Sequence, residues 1–402
     1  SDTTFEEIAS KGKIRLETDG RAEYTYRKGD GFEFLYIVNV EKEPARVVVP
    51  AGYSRVDLLS LKAYEQEREI VLGGGESILL MPVSGEKGIS YGAEKELTSE
   101  FRFAGATDNN LTLDMVQISF DGVAYGEEEP LAEVFDRLLR AQYEGKLYVK
   151  YSFTVKGTGT KLALRREKGK YLSSSLNGRA LDFTESAYDF MFEEADISAT
   201  VREGTNEYIN ELNFYERPHV FWALYAPEAT ESVRNCLWYD TELENIYLRG
   251  DFSVNGERAL MPPAAPERMD NLQKNGFPNF AGKVKFSAAV FGEKKRAKLK
   301  VEGDYTSVEV FVNGREAGSF LFGKEIEIEL KEGGENALEI AAVSSLRNMF
   351  GPLHFKGDED EGVGPFSFTM RGAWKEGKCE YYAPDYRIRP FGVSAVKIAF
   401  EK

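Results

Sequence analysis

The chain has 402 residues, which exceeds one ordinary hydrophobic core and corresponds to two or three domains. Hydrophobic residues make up 42% of the chain, yet no apolar run approaches the roughly 18 residues that a membrane-spanning helix needs, so we expect a soluble globular protein. The net charge of -16 argues against binding to nucleic acid or to an anionic membrane surface, because both are polyanions.

The first 97 residues contain short β-rich runs at 31–40, 45–50 and 76–83, separated by Gly, Pro, Lys and Glu clusters. This spacing predicts a small antiparallel β-sandwich at 1–97. The opening residues, SDTTFEEIASKGK, show no signal-peptide pattern and no initiator Met. The missing Met suggests a processed or truncated chain, and the compartment, cytoplasmic or secreted, stays open.

The stretch 109–122 predicts one further strand, after which the hydrophobic period changes. Behind Pro130, apolar residues recur at helical spacing and predict an amphipathic helix at 130–143; they are Leu131, Val134, Phe135, Leu138 and Leu139. Strand patterns then continue to the end, apart from a possible second helix at 227–238. A parallel α/β barrel is excluded because the alternation of strands and helices that it requires is missing.

Two later segments share one order of strands and turns. Each has an alternating strand, an Asn-Gly pair, a second strand, and a Gly-x-Asn turn before a closing strand. The pairs Asn177-Gly178 and Asn313-Gly314 are typical of type I′ hairpins, which require positive φ at both central residues. The repetition predicts two homologous antiparallel sandwiches, at 98–255 and 266–402, and assigns the Asn-Gly residues to backbone geometry.

The later copy, VEVFVNGREAGSFLFGKEIEIELKEGGENALEIAAVSS, resembles the galactose-binding-like jelly-roll domain of family 2 glycoside hydrolases. That domain has the run V-x-x-N-G-[KR]-x-x-G followed by G-E-N-x-L-x-I-x-V. The earlier copy departs from it, since LNGRALDF lacks the following Gly and GTN replaces G-E-N. The wider order of motifs resembles the C-terminal region of large bacterial glycosidases of the family 2 and α-L-rhamnosidase type, and 1–97 resembles the β-sandwich that follows their catalytic barrel.

The resemblance implies an all-β protein: a small antiparallel β-sandwich followed by two galactose-binding-like jelly rolls, with one or two short helices. In such enzymes the catalytic carboxylates lie on a (β/α)8 barrel, which this chain lacks. We therefore interpret the chain as the non-catalytic, carbohydrate-binding or supporting region of a bacterial glycoside hydrolase. Its expected partners are carbohydrate and the catalytic barrel domain of the same or a parent polypeptide.

Other chemistry finds little support in the sequence. His219 and His354 are the only histidines, and neither has a Cys or His at metal-binding spacing. Cys236 and Cys379 lie far apart, so we expect two small buried apolar residues rather than a disulfide. The acidic loop 356–366 could hold calcium through Asp358 and Asp360, although a solvated charged loop is the favoured alternative. No other cofactor is indicated.

Sugars are recognised by aromatic faces together with amides, carboxylates and Arg side chains. Three stretches combine these groups, and in each the alternative is ordinary packing of large aromatic side chains. The first-choice stretch holds Arg347, Asn348, Phe350 and His354. The second holds His219, Trp222, Trp238, Tyr239 and Asp240. The third holds Tyr381, Tyr382, Asp385, Tyr386 and Arg387.

The sequence leaves open two alternatives to carbohydrate binding. The chain could be a purely structural docking module without sugar affinity, and its first-choice loop, Arg347 to Pro352, could contact the missing barrel. The chain could also be a complete small glycosidase with its site between sandwiches, because 67 acidic residues leave paired carboxylates possible.

Overall fold

The computed structural model describes residues 17–19, 22–58, 61–157, 161–187, 189–321, 324–354 and 383–402. Within these ranges the protein consists of antiparallel β-sheets with four short helices, and no β/α barrel is present. The all-β fold predicted from the sequence is confirmed. No helix in the described part of the chain is long and apolar enough to cross a bilayer.

The first module is a small sandwich of a three-stranded sheet (β1-β4-β7) and a five-stranded sheet (β2-β3-β8-β5-β6). A buried cluster that includes Leu35, Ile37 and Leu80 fills the space between them. Its strands are β1 (Glu17–Thr18), β2 (Ala22–Gly29), β3 (Phe32–Asn39), β4 (Ala45–Val48), β5 (Ser54–Asp57), β6 (Lys62–Tyr64), β7 (Glu69–Leu72) and β8 (Ser77–Met81).

The middle sandwich packs a sheet in the order β11-β21-β15-β19-β18 against a sheet in the order β13-β12-β14-β20-β16-β17. Its first strands are β11 (Asn109–Leu113), β12 (Met115–Ser119), β13 (Glu129–Pro130), β14 (Gly145–Val155), β15 (Leu162–Glu167), β16 (Tyr171–Leu176) and β17 (Arg179–Ala180). They are followed by β18 (Thr184–Glu185), β19 (Phe192–Asp196), β20 (Gly204–Phe214), β21 (Ile246–Gly250), β22 (Ser253–Val254) and β23 (Leu260–Met261). Its helices are α1 (Leu131–Arg140), α2 (Pro218–Tyr225) and α3 (Glu231–Asn235).

The last sandwich packs β10-β24-β29-β26-β27 against β28-β25-β30-β9. It contains β9 (Lys95–Glu96), β10 (Arg102–Ala106), β24 (Lys283–Phe291), β25 (Arg296–Asp304), β26 (Ser307–Val312), β27 (Arg315–Phe320), β28 (Glu325–Glu329), β29 (Glu335–Val343), helix α4 (Arg347–Phe350) and β30 (Gly392–Phe400). Because β9 and β10 precede the middle sandwich in sequence and pair with β30 and β24, the middle sandwich is inserted within the last one. The domain boundaries inferred from the sequence, at residues 97, 98 and 266, stay predictions.

The two larger sandwiches share one topology. The order β14-β20-β16-β17 in the middle sandwich matches β24-β29-β26-β27 in the last, and β21-β15-β19 matches β30-β25-β28. The alternating apolar pattern explains the match, because it places every second residue of each strand in a core. The strand repeat inferred from the sequence is therefore present in the fold.

The Asn-Gly turns are built alike in both copies. Asn177 and Gly178 have φ of 52° and 78°, and Asn313 and Gly314 have φ of 51° and 76°. In each copy the turn amide donates to a second Asn: Asn177 Nδ2 to Asn206 Oδ1 at 2.8 Å, and Asn313 Nδ2 to Asn336 Oδ1 at 2.9 Å. The second Asn corresponds to the repeated Gly-x-Asn, so both motifs close the end of one sheet.

Three local expectations differ from the structure. The stretch 109–122 forms two strands rather than one, because the chain crosses from one sheet to the other at Asp114. The second predicted helix is only Glu231–Asn235, whereas α2, which begins with Pro218, was not predicted. Cys236 is exposed, so its predicted burial is wrong, because it lies just beyond the short surface helix α3. Cys379 lies outside the described residues.

Candidate functional site

The first-choice stretch lies at the junction between the middle and last sandwiches. The ring of Phe350 packs 5.4 Å from that of Tyr247 and 6.0 Å from that of Phe192, both on the middle sandwich. The Asn348 side chain donates to the carbonyl of Arg389 at 2.9 Å and accepts from its N–H at 2.8 Å. This stretch therefore joins one sandwich to the other.

The same junction contains the buried pair of Asp114 and His354. His354 Nε2 lies 3.1 Å from Asp114 Oδ2, and Nδ1 lies 2.9 Å from the Ala383 carbonyl. Tyr386 donates its hydroxyl to Asp114 Oδ1 at 2.7 Å, and burial followed by the Asp114 charge raises the Tyr386 pKa. The guanidinium of Arg258 covers the Tyr386 ring at 3.8 Å. The two carboxylate oxygens of Asp114 thus bind His354 from the first predicted stretch and Tyr386 from the third.

The fold accounts for most of these junction side chains by packing. Burial lowers the Arg347 pKa, and the Arg387 N–H donates to the Leu353 carbonyl at 2.6 Å. Asp385 is exposed. A sugar-binding role for this group stays a prediction, and Tyr381, Tyr382, Asp358 and Asp360 lie outside the described residues.

The second predicted group lies at the surface of the middle sandwich. His219 and Trp222 stack on α2 with ring centroids 5.4 Å apart, and both are exposed. Trp238 is 70% exposed, and the Arg217 guanidinium lies 5.0 Å from its ring centroid. An exposed indole held by a neighbouring guanidinium presents an apolar face to solvent, as a sugar-binding surface requires.

A cavity of about 140 Å³ lies beside this group, between the turn joining β15 to β16 and the loop 239–244 before β21. Two aromatic side chains, Tyr171 and Tyr239, line it together with acidic side chains. The acidic residues are Glu167, Asp240, Glu242 and Glu244. Lys168 and Lys170 from the turn also contribute to its wall. We call this space the glutamate cavity.

The loop 239–244 is held in place by hydrogen bonds from the sandwich. The buried Glu216 carboxylate accepts the N–H of Asp240 at 2.8 Å and that of Thr241 at 3.0 Å. The Tyr151 hydroxyl donates to the Glu244 carbonyl at 2.9 Å. Since its backbone is fixed at both ends, this loop forms a preformed wall of the cavity rather than a loose segment.

The turn that joins β15 to β16, on the opposite side of the cavity from the loop 239–244, depends on a glycine. A Cβ added at Gly169 would lie 2.7 Å from Cε2 of Tyr171, which is closer than real side chains approach. The Tyr171 ring is also contacted by the Arg166 guanidinium, 3.9 Å from the ring centroid. The absence of a side chain at Gly169 thus allows the ring to fold over the turn.

Three carboxylates converge in the glutamate cavity. Carboxylate oxygens of Glu167, Glu242 and Glu244 lie within 4.8 Å of one another, close enough to share one cation. Burial raises the pKa of Glu244 to about 8, with the charges of Glu167 and Glu242 contributing. Burial also raises the pKa of Glu167, with Glu242 contributing. Groups perturbed in this way cluster at functional sites.

The Glu244 side chain is expected to make stability depend on pH. Its raised pKa means that the folded state keeps a proton that the unfolded state loses above its ordinary value of 4.5. Stability should therefore fall as the pH rises from 4.5 to 8, and the full cost is present above pH 8. Glu244→Gln removes this cost, so we expect the variant to match the wild type near pH 4 and to exceed it at pH 9 by at least about 1 kcal/mol.

Urea unfolding across this pH range measures the effect. Glu203→Gln serves as the control, since Glu203 lies on an exposed bend, and its curve should run parallel to that of the wild type. A constant difference between Glu244→Gln and the wild type at all pH values would contradict the prediction.

Sequence reasoning placed Tyr239 and Asp240 among the candidates but missed Glu167, Tyr171, Glu242 and Glu244. Glu242 and Glu244 lie three and five residues after Tyr239, and this proximity is the signal in the sequence that could have identified them. Glu167 and Tyr171 lie about 70 residues earlier. Only the sheet pairing brings them near the loop, because β15 lies beside β21.

Comparison with known protein families and with curated proteins gives no match. Among solved structures, the chain is similar to the rhamnosidase from Novosphingobium sp. PP1Y, with 15% identity, 60% of this chain and 25% of that chain covered, and a TM-score of 0.24. The Ruminococcus gnavus beta-glucuronidase is 15% identical, with 59% of this chain and 42% of that chain covered and a TM-score of 0.26. The Dictyoglomus thermophilum beta-D-mannosidase is 10% identical, with 56% of this chain and 31% of that chain covered and a TM-score of 0.25. These neighbours are glycoside hydrolases, and the chain spans less than half the length of each of the three.

Proposed function

We propose that this chain is a non-catalytic region of a glycoside hydrolase that binds carbohydrate through the glutamate cavity and Trp238. The motif resemblance of the repeated strands supports the parent enzyme class. The observation that carries the binding role is the combination of aromatic walls with hydrogen-bonding side chains in one preformed cavity. Sugars need both, because their C–H faces pack on rings while their hydroxyls bond to polar groups.

The size of the cavity limits how many sugar units it can hold. Its volume of about 140 Å³ is smaller than the roughly 300–1,000 Å³ of pockets for drug-sized ligands. We therefore propose that it holds one terminal sugar unit. Trp238 directly precedes Tyr239 in the chain, and its exposed indole offers a flat surface for the next unit.

Isothermal titration with a panel of plant and mucin oligosaccharides tests this function. We expect saturable binding of at least one oligosaccharide, weakened about tenfold by Trp238→Ala, because stacking on an aromatic ring contributes about 0.5–1.5 kcal/mol and the apolar area that the ring buries adds to it. Phe291→Ala is the matched control, because Phe291 is an exposed aromatic residue on β24 of the other sandwich. No heat with any sugar would overturn the proposal.

A second candidate function, support of a catalytic domain, is favoured by the first module. On β3, Phe32, Tyr36 and Val38 point away from the core between the two sheets, and Tyr36 pairs with Leu79 on β8. Phe32 and Tyr36 are exposed. The adjacent strands β3 and β8 are therefore apolar on both faces, which is typical of strands covered on both sides. Tight binding to a barrel domain, together with no heat from any sugar, would identify this function instead.

Hydrolysis of aryl glycosides provides a separate test of the non-catalytic assignment. Retaining glycosidases separate their two carboxyl groups by about 5–5.5 Å and keep one protonated, and the glutamates of the cavity are also close together. We expect no turnover. Turnover that is lost in Glu244→Gln would assign catalysis to the cavity and would contradict the proposal.

A further inference from the structure

Strand β2 forms one edge of the five-stranded sheet of the first module, and within the described residues it pairs only with β3. It is eight residues long, and its pairing with β3 runs from Ala22 to Gly29 without a shift in register. All but two of its residues are exposed. A long and regular edge of this kind offers unpaired backbone groups to another strand.

The other edge strands of the described sheets are protected from such pairing. None of them is longer than six residues. The pairing of β10 and of β27 is interrupted by a shift in register, and β28 carries an acidic side chain at every second position. Short, bulged and charged edges prevent association between β-proteins. Strand β2 is neither short nor bulged, and its edge lysine, Lys28, pairs with Glu33 on β3.

The turn that joins β2 to β3 determines which backbone groups of β2 face outward. Gly29 and Phe32 flank a two-residue turn, so this pair exchanges backbone hydrogen bonds. Bonded and non-bonded pairs then alternate along an antiparallel ladder. The odd-numbered residues of β2 therefore bond to β3. The even-numbered residues direct their N–H and C=O groups to the free edge; they are Ala22, Tyr24, Tyr26 and Lys28.

We propose that β2 pairs antiparallel with β2 of a second copy of this chain, so that two five-stranded sheets become one. This inference goes beyond the proposed carbohydrate-binding function and does not depend on it. With a two-fold axis at Thr25, Tyr24 of each copy lies opposite Tyr26 of the other. Both tyrosines have outward backbone groups, so they form hydrogen-bonded pairs. Aromatic residues directly opposite one another also stabilise a sheet through their side chains.

The charges on β2 favour the same register. It places Glu23 opposite Arg27 on both sides of the axis, at pairs without backbone hydrogen bonds, where opposite side chains lie closest. Both side chains are exposed, and neither forms an ion pair with another described residue. A shift of the two strands by two residues would remove both charge pairs. The edge is therefore complementary to itself in charge as well as in backbone direction.

Sedimentation velocity of the full chain measures the association. One strand pair is a smaller interface than the roughly 800 Å² per partner of stable complexes, so we expect a reversible dimer. Its population should rise with concentration from about 1 to about 200 µM. The buffer contains about 150 mM salt, which screens the repulsion between two chains of net charge -16.

Charge reversal tests the register. Glu23→Lys and Arg27→Glu each place like charges opposite one another at both pairs, so we expect each to weaken dimerisation about tenfold or more. The double variant restores opposite charges and should recover the association of the wild type. Glu67→Lys is the matched control, because it makes the same change of charge at an exposed position before β7, and it should leave dimerisation unchanged. Thermal melts establish that each variant is folded.

Three results would overturn the inference. The first is a monomer at every concentration. The second is a dimer that both single reversals leave intact, because the second copy would then bind at another surface. The third is a dimer that both reversals weaken and the double variant does not recover, because Glu23 and Arg27 would then not face each other. Sugar titration is a separate measurement, so carbohydrate binding stands or fails independently of these results.

Discussion

Arg166→Met is expected to lower the free energy of unfolding of the middle sandwich by about 4 kcal/mol. Arg166 is buried on β15 and points into the core between the sheets. Its Nε donates to Glu193 at 2.7 Å, and its Nη1 donates to the Tyr208 hydroxyl and to Asn210 Oδ1, each at 2.9 Å. The guanidinium therefore connects the two sheets through their shared interior.

The ring contacts of Arg166 explain why methionine cannot replace it. The guanidinium lies between the rings of Tyr171 and Phe183, 3.9 Å and 3.7 Å from their centroids. Methionine can fill much of this space, but it leaves Glu193 without its cation and the opposite sheet without a donor. Arg166→Lys keeps the charge but not the planar fork, so we expect it to recover only part of the loss.

Calorimetric melting of the full chain measures this effect. Lys146→Met is the control: Lys146 lies on β14 of the same sandwich, is mostly exposed and pairs with Glu211. We expect only a small cost, because exposed ion pairs in general contribute about 1 kcal/mol or less. Equal destabilisation by the two substitutions would show that the inter-sheet network contributes nothing beyond an ordinary salt bridge.

Asp114→Ala is expected to cost about 3 kcal/mol by breaking the junction between the middle and last sandwiches. The substitution leaves His354 and the Tyr386 hydroxyl buried without their shared acceptor. Asp114 lies between β11 and β12 of the middle sandwich, whereas His354 and Tyr386 lie between α4 and β30 of the last, so the loss falls on both sandwiches. The melting temperature should fall by roughly 6–12 °C.

Asp385→Ala provides the comparison for Asp114→Ala. Asp385 directly precedes Tyr386 in the chain but is exposed, so its removal should change stability by no more than about 0.5 kcal/mol. Asp114→Asn keeps one acceptor oxygen and should have an intermediate effect. A melting temperature for Asp114→Ala within the error of Asp385→Ala would exclude a stabilising role for the buried pair.

Much of the strand pattern could be predicted because it depends on neighbouring residues. The alternation in 31–40 and the apolar spacing behind Pro130 correspond to β3 and α1. The Asn-Gly turns were predictable for the same reason, since positive φ at two successive positions restricts the residue types that fit. Helix α2 was missed because its aromatic residues also suit strands, and the contacts of its apolar side with the sandwich decide between them.

The candidate site was only partly predictable. Trp238, Tyr239 and Asp240 combine an aromatic surface with a carboxylate within three residues, and such local sets are visible in the sequence. The carboxylate of Glu167 belongs to another strand, and nothing near it in the sequence indicates the loop that it faces. The junction of Asp114 with His354 joins residues 240 positions apart, a distance over which sequence patterns carry no signal.

The sequence by itself determined the all-β fold, the duplicated order of strands and the Asn-Gly turns, because alternation and backbone geometry act over a few residues. Only the tertiary structure decided that the middle sandwich is inserted within the last, that the predicted Phe350 and His354 stretch joins the two, and that three glutamates share one cavity. These features depend on which strands pair across the chain, and pairing is set by the burial of whole sheet faces rather than by local residue choice.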